Sequence, residues 1–119
     1  DVLTHAAIDA LLGAAGMGDI GRLFPDSDPA YKDISSLVLL QQVGARLAEA
    51  GARIVNIDVV VMAQTPKLQP HISVMESTLA HHLAVSPHHI SIKATTTEGL
   101  GFVGREEGIA AQAVASIML

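Results

Sequence analysis

The run 53–64, RIVNIDVVVMAQ, constrains the fold more than any other stretch of the chain. Ile54, Ile57, Val59, Val60 and Val61 are β-branched and partly alternating, and such side chains keep more of their freedom on a pleated surface than in a helical turn. The run predicts a well-buried strand. Helical patterns flank it on both sides. Upstream, SSLVLLQQVGARLAEAG offers Ser35 or Ser36 as an N-cap, an apolar stripe through Leu39, Val43 and Leu47, and Gly51 as a stop. Downstream, TPKLQPHISVMESTLAHHLAV opens on two prolines and turns helical by Ile72, with Val74, Met75, Leu79 and Leu83 predicted on its inner side.

The rest of the chain repeats this alternation. Residues 1–15 form a predicted first helix, with Val2, Ala6, Ile8 or Asp9, and Leu12 at helical spacing and Gly16 as its stop. Residues 16–33, GMGDIGRLFPDSDPAYKD, are dense in glycine, proline and aspartate and predict an ordered loop with neither helix nor strand, long enough to suggest function. HHISIKATTT alternates Ile90 and Ile92 against polar residues and predicts a strand with one face toward the core. The closing GIAAQAVASIML is open: its alanines favour helix, while a short apolar run also suits a buried strand. No internal repeat or low-complexity segment is visible. These elements predict an α+β fold, a two-layer α/β sandwich, with residues 1–119 as a single domain.

Half the residues are hydrophobic (50%), yet Phe24, Tyr31 and Phe102 are the whole aromatic complement, so the core is expected to be built from Ala, Val, Leu, Ile and Met. A formal net charge of -5 without a basic block argues against a general nucleic-acid or membrane-surface binder. Cysteine is absent, which leaves His, Asp and Glu for metal chemistry and fits an intracellular setting. No apolar run approaches the roughly 20 residues that span a bilayer, and the expectation is a soluble protein. An amphipathic pattern already running at the first residue suggests that sequence precedes Asp1.

Gly99, Gly101 and Gly104 match the G-x-G-x-x-G spacing of dinucleotide folds. The acidic residue needed about 20 positions later has no counterpart before Leu119, and hydroxyls and a carboxylate precede Gly99, so the match is read as incidental. Asp1, His5 and Asp9 share one helix face, which could serve a metal, but a zinc site needs donors from more than one element, and spacing alone favours a solvated polar face. His71, His81, His82, His88 and His89 are expected at the surface, because adjacent residues point in divergent directions. GDIGRLFPD puts Asp19 and Asp26 on a glycine-rich loop suited to sugar hydroxyls or to plain turn chemistry. AQTPKLQ ends the buried strand, and KATTTEGLGF, with Lys93, Thr95, Thr96, Thr97 and Glu98, ends the second. Ligands bind at such strand ends.

Taken together, H-x3-D-A-L-L-G-A, GDIG-x-L-F-P-D-x-D, A-Q-x-P-K and KATTTE-x-LGF-x-GR-x-EGI resemble the 2-C-methyl-D-erythritol 2,4-cyclodiphosphate synthase family of the non-mevalonate isoprenoid pathway, in order and spacing, through essentially the whole chain. The resemblance implies an enzyme that cyclises 4-diphosphocytidyl-2-C-methyl-D-erythritol 2-phosphate with release of CMP. It implies a mixed sheet packed against helices, in a homotrimer whose sheets surround the three-fold axis and whose active sites lie between subunits. His5 matches the helix-borne zinc ligand, and Asp9, one turn beyond, is assigned an orienting role. Asp19, Ile20 and Gly21 match the segment for the methylerythritol hydroxyls, and Phe24, Pro25, Asp26, Ser27 and Asp28 the adjoining substrate loop. Ala63, Gln64, Thr65, Pro66, Lys67, Leu68 and Gln69 match the cytidine-diphosphate segment, which acts largely through backbone groups. Thr95, Thr96, Thr97 and Glu98 match the phosphate-binding run, with Thr96 stabilising the transition state and Glu98 holding a second cation, magnesium or manganese. Phe102 and Arg105 match further substrate contacts.

The family's other two zinc ligands, from an Asp-x-His strand, and a His-Ser segment that binds phosphate have no match in these residues. The domain is therefore expected to be N-terminally incomplete, to bind zinc poorly and to lack activity in this form. The alternative is a non-catalytic trimeric protein that binds a cytidine nucleotide or an isoprenoid diphosphate. The expected location is the cytoplasm of a bacterium or the stroma of a plastid.

Overall fold

The computed structural model of the protein describes residues 2–25 and 35–119. The elements run α1 (Val2–Ala14), α2 (Ile20–Leu23), α3 (Ser36–Glu49), β1 (Arg53–Met62), α4 (Ile72–Leu83), β2 (Ile90–Thr95), α5 (Gly101–Gly104) and β3 (Ala110–Met118). Short 3-10 turns at Gln69–His71 and Pro87–His89 lead into α4 and β2.

The helix boundaries follow from local chemistry. Ser35 caps α3, its hydroxyl accepting from the Leu37 N–H at 3.3 Å. Helices α1 and α3 end on left-handed glycines, Gly16 (φ 68) and Gly51 (φ 80), and the next N–H returns five residues: Met17 to the Leu12 carbonyl and Ala52 to that of Leu47, both 2.9 Å. Helix α4 makes the same turn with Ala84 at φ 58, where Val85 donates to the Ala80 carbonyl at 3.0 Å. A non-glycine residue there is strained.

The sheet has the order β2-β1-β3, with β2 parallel to β1 and β3 antiparallel. It is mixed, as expected. Ile57, Val59 and Val61 of β1, with Ile90 and Ile92 of β2, are buried, and in register with β1 stand Ala111, Ala113 and Ala115 of β3 on the same side. Helix α1 packs on β3, α4 on β2, and α3 on both helices. The core joins this sheet face to Ile8, Leu11 and Leu12 of α1, Leu40, Val43 and Leu47 of α3, and Leu79 and Leu83 of α4.

The structure corrects four expectations. Val74 is 68% exposed, because α4 buries the Leu79–Leu83 side and Val74 lies off it. In α1 the buried stripe is Thr4, Ala7, Ile8, Leu11 and Leu12, so Val2 stands outside it. Val60 of β1 is only half-buried, because it faces away from the helices. The loop 16–33 contains a helical turn, α2, nucleated by the Asp19 carboxylate accepting from the Arg22 N–H at 2.9 Å. The ambiguous closing run is a strand.

No described helix covers the sheet's second face. Asp58, Lys93, Gln112, Val114 and Ser116 lie on it, with Val114 67% exposed and a Lys93–Asp58 ion pair at 2.7 Å bridging β2 and β1.

Candidate active site

Strands β1 and β2 run parallel, so their carboxyl ends lie side by side. Met62 pairs with Thr95, and the Ala63 N–H extends the ladder to the Thr95 carbonyl at 3.0 Å. Beyond that point neither chain can continue the sheet: Pro66 and the turn at 97–100 divert them, opening a crevice at the strand ends. A cleft of about 300 Å³ opens there, lined by Ala63, Gln64, residues 66–69, Ala94, Thr95 and Thr96. The structure thus brings most of the expected cytidine and phosphate segments to one cavity. Ala94 was not singled out from the sequence. Its signal was its place between Lys93 and Thr95 at a strand end, where a small side chain leaves room. Lys93, by contrast, points to the opposite face and pairs with Asp58.

The phosphate-run residues continue into a tight turn. The Leu100 N–H donates to the Thr97 carbonyl at 3.1 Å, and the central residues Glu98 (φ 54) and Gly99 (φ 79) are both left-handed, the pattern of a type I′ turn. Such a conformation is costly for glutamate, and Ala84 and Glu106 are the other described non-glycine residues that adopt it. The Thr96 hydroxyl accepts from the Glu98 N–H at 3.1 Å, the Thr97 hydroxyl donates to the Leu100 carbonyl at 2.7 Å, and the Gly99 N–H donates to Gln64 Oε1 at 3.2 Å. Helix α5 folds back so closely that a Cβ on Gly104 would fall within the backbone of Gly99. The glycines of the G-x-G-x-x-G match therefore shape this turn.

A second group of expected residues lies on α1 and the segment after it. Asp9 accepts from the Ile20 N–H at 2.9 Å, fastening α2 to α1, and Phe24 is buried with the Arg46 guanidinium 5.4 Å from its ring centre. Asp19 is committed to its cap on Arg22, while Gly21 and Pro25 are exposed and Ile20 half-buried. Asp1, Asp26, Ser27 and Asp28 lie outside the described residues. An apolar cavity of about 330 Å³ shares Leu68 with the strand-end cleft and is lined by Val2, Leu3 and Thr4 of α1, but Asp9 and residues 19–25 do not line it. Phe102 and Arg105 are exposed on and beside α5 and do not line the cleft. Arg105 pairs with Glu107 at 2.9 Å.

His5 is exposed on α1, and among the described residues no three His, Asp or Glu side chains converge to hold a metal. One imidazole does not make a zinc site. Glu98 differs: a single exposed carboxylate beside threonine hydroxyls suits a hard cation whose remaining ligands are phosphate oxygens and water. His71, His81, His88 and His89 are exposed. His82 is half-buried, its Nδ1 2.9 Å from the Thr78 carbonyl, and His89 Nδ1 lies 2.8 Å from the Val55 carbonyl.

Fold and site together define a small α+β domain with a ligand cleft at the carboxyl ends of a parallel strand pair. The chain belongs to the YgbB family, whose model matches residues 1–118. It is 60% identical over 117 residues to the 2-C-methyl-D-erythritol 2,4-cyclodiphosphate synthase of Pelotomaculum thermopropionicum, covering 98% of this chain and 72% of that protein. It is 57% identical over the same length to the synthase of Syntrophomonas wolfei, again covering 98% of this chain, and 74% of that protein. Among solved structures, the bifunctional IspDF of Campylobacter jejuni superposes with a TM-score of 0.93 at 48% identity, over 98% of this chain and 32% of that one. A CDP complex of IspF from Plasmodium falciparum superposes with a TM-score of 0.87 at 29% identity, over 99% of this chain and 70% of that one.

Proposed function

We propose that this chain acts as a cyclodiphosphate synthase that converts 4-diphosphocytidyl-2-C-methyl-D-erythritol 2-phosphate into 2-C-methyl-D-erythritol 2,4-cyclodiphosphate and CMP. One observation supports it above the others: the segment 63–69 and the run 94–96 line one cleft, at the ends of adjacent parallel strands. An oxygen of the substrate's 2-phosphate attacks the β-phosphorus, and the bond from that phosphorus to the CMP oxygen breaks. The reaction needs no protein nucleophile, only two phosphates held in line and their charge offset.

In this reading the backbone of Ala63, Gln64, Thr65, Pro66, Lys67, Leu68 and Gln69 holds the cytidine diphosphate end, with Lys67 near its phosphates. Thr95, Thr96 and Thr97 meet phosphate oxygens, and Thr96 stabilises the charge that grows in the transition state. Glu98 would hold magnesium or manganese, and the bound cation would offset charge on the substrate's diphosphate. Asp19, Ile20, Gly21 and the loop through Phe24, Pro25, Asp26, Ser27 and Asp28 hold the methylerythritol, with Asp9 positioning their start. Phe102 and Arg105 supply outer contacts. His5 is one candidate zinc donor, and no step is assigned to zinc. The uncovered sheet face supports self-assembly; the proposed assembly is a homotrimer with sites between subunits, and the proposed location is a bacterial cytoplasm or plastid stroma.

The test is turnover of the diphosphocytidyl substrate by the full-length protein, followed by phosphorus NMR. The cyclic diphosphate and CMP are expected in equal amounts, in a divalent-metal-dependent reaction. Glu98→Gln should lower turnover about a hundredfold, a common size for loss of one electrostatic contact to a transition state, with the unfolding midpoint unchanged. CMP binding without its release from substrate would overturn the reading.

A further inference from the structure

We propose that the side chain of Gln64 is a positioning residue that holds the Glu98 turn in its cation-binding shape. This rests on the role proposed above for Glu98. Glu98 at φ 54 sits in a conformation that a glutamate leaves readily unless its surroundings over-determine it. The bonds from Thr96 and Thr97 that brace the turn are local, spanning three residues or fewer, and so move with it. Of the hydrogen bonds described at the turn, the one from the Gly99 N–H to Gln64 Oε1, 3.2 Å, alone reaches another strand end. The donor is a backbone amide, so the side-chain atom facing it must be the carbonyl oxygen.

Gln64 follows Ala63, whose N–H is still bound to the Thr95 carbonyl, so its backbone leaves directly from the end of the sheet while its side chain reaches the turn. One residue thereby couples the segment that lines the cytidine side of the cleft to the turn that carries the cation ligand. The sequence resemblance assigned this position a backbone contact. The structure gives its side chain a separate task.

The experiment replaces Gln64 with leucine, of similar size and without an acceptor, in the full-length protein. Hydrogen exchange at the Gly99 amide should accelerate about fivefold, the scale of one net hydrogen bond. The manganese concentration for half-maximal turnover should rise by a similar factor. Unchanged Gly99 exchange and unchanged manganese dependence, with CMP affinity lost, would overturn the proposal and make Gln64 a cytidine contact. Should the parent protein not turn over, the functional reading fails by itself. Amide exchange and CMP binding still decide the tether.

Discussion

At the scale of single residues, the informative positions are those where the backbone leaves the ordinary regions. Gly104 is required by space: a Cβ would meet the Gly99 backbone, which cannot swing aside as a side chain would. Gly104→Ala should therefore destabilise the protein by about 2 kcal/mol, the usual range for forced overpacking, and displace Glu98. A lowered urea midpoint, with turnover lost in proportion beyond it, checks this. Ala84 presents the opposite case. It occupies a left-handed position that Gly16 and Gly51 fill elsewhere. Ala84→Gly should raise stability by about 0.5–1 kcal/mol, the cost of a left-handed alanine less the extra freedom glycine has when unfolded, seen as a higher thermal midpoint. Ala84 did not stand out in the sequence, and Gly104 did so only through a motif match read as incidental, because the conformation of a residue is a property of the turn that contains it.

At the scale of elements, local chemistry made most of the fold legible. Ser35 announces α3, Gly16 and Gly51 end their helices, and the valine-rich run around Val59 could hardly be anything but a strand. The closing strand was not decidable. Its alanines have high helix propensity, and only the antiparallel ladder to β1, with Ala113 opposite Val59 and Ala115 opposite Ile57, overrides it. Small side chains on β3 let α1 approach closely, a reason for alanine that no local pattern reveals. The Val74 expectation failed for a related cause: the spacing of apolar residues on α4 allows more than one face, and contact with α3 and β2 selects the Leu79–Leu83 side.

At the scale of the molecule, the sheet presents one face to helices and leaves the other without a described cover. Val114 and Met118, with Ser116 between them on that face of β3, are 67% and 54% exposed there. If this face forms the centre of the proposed homotrimer, Val114→Glu should place three like charges near the axis. The expected outcome is a monomer by light scattering at concentrations where the parent is trimeric, with the far-ultraviolet circular dichroism of the fold retained. A trimer undisturbed by the substitution would put the interface elsewhere.

The sequence alone determined the types of α1, α3, α4, β1 and β2, the ends of α1 and α3 and the four motif blocks, because these depend on backbone preferences and spacings within a few residues. Only the tertiary structure decided that the segment after β1 and the run after β2 share a cleft, that Lys93 turns away from it toward Asp58, and that Gln64 reaches Gly99 across 35 positions of chain. Those outcomes depend on parallel pairing between distant strands, and that pairing is chosen by which faces the core must bury.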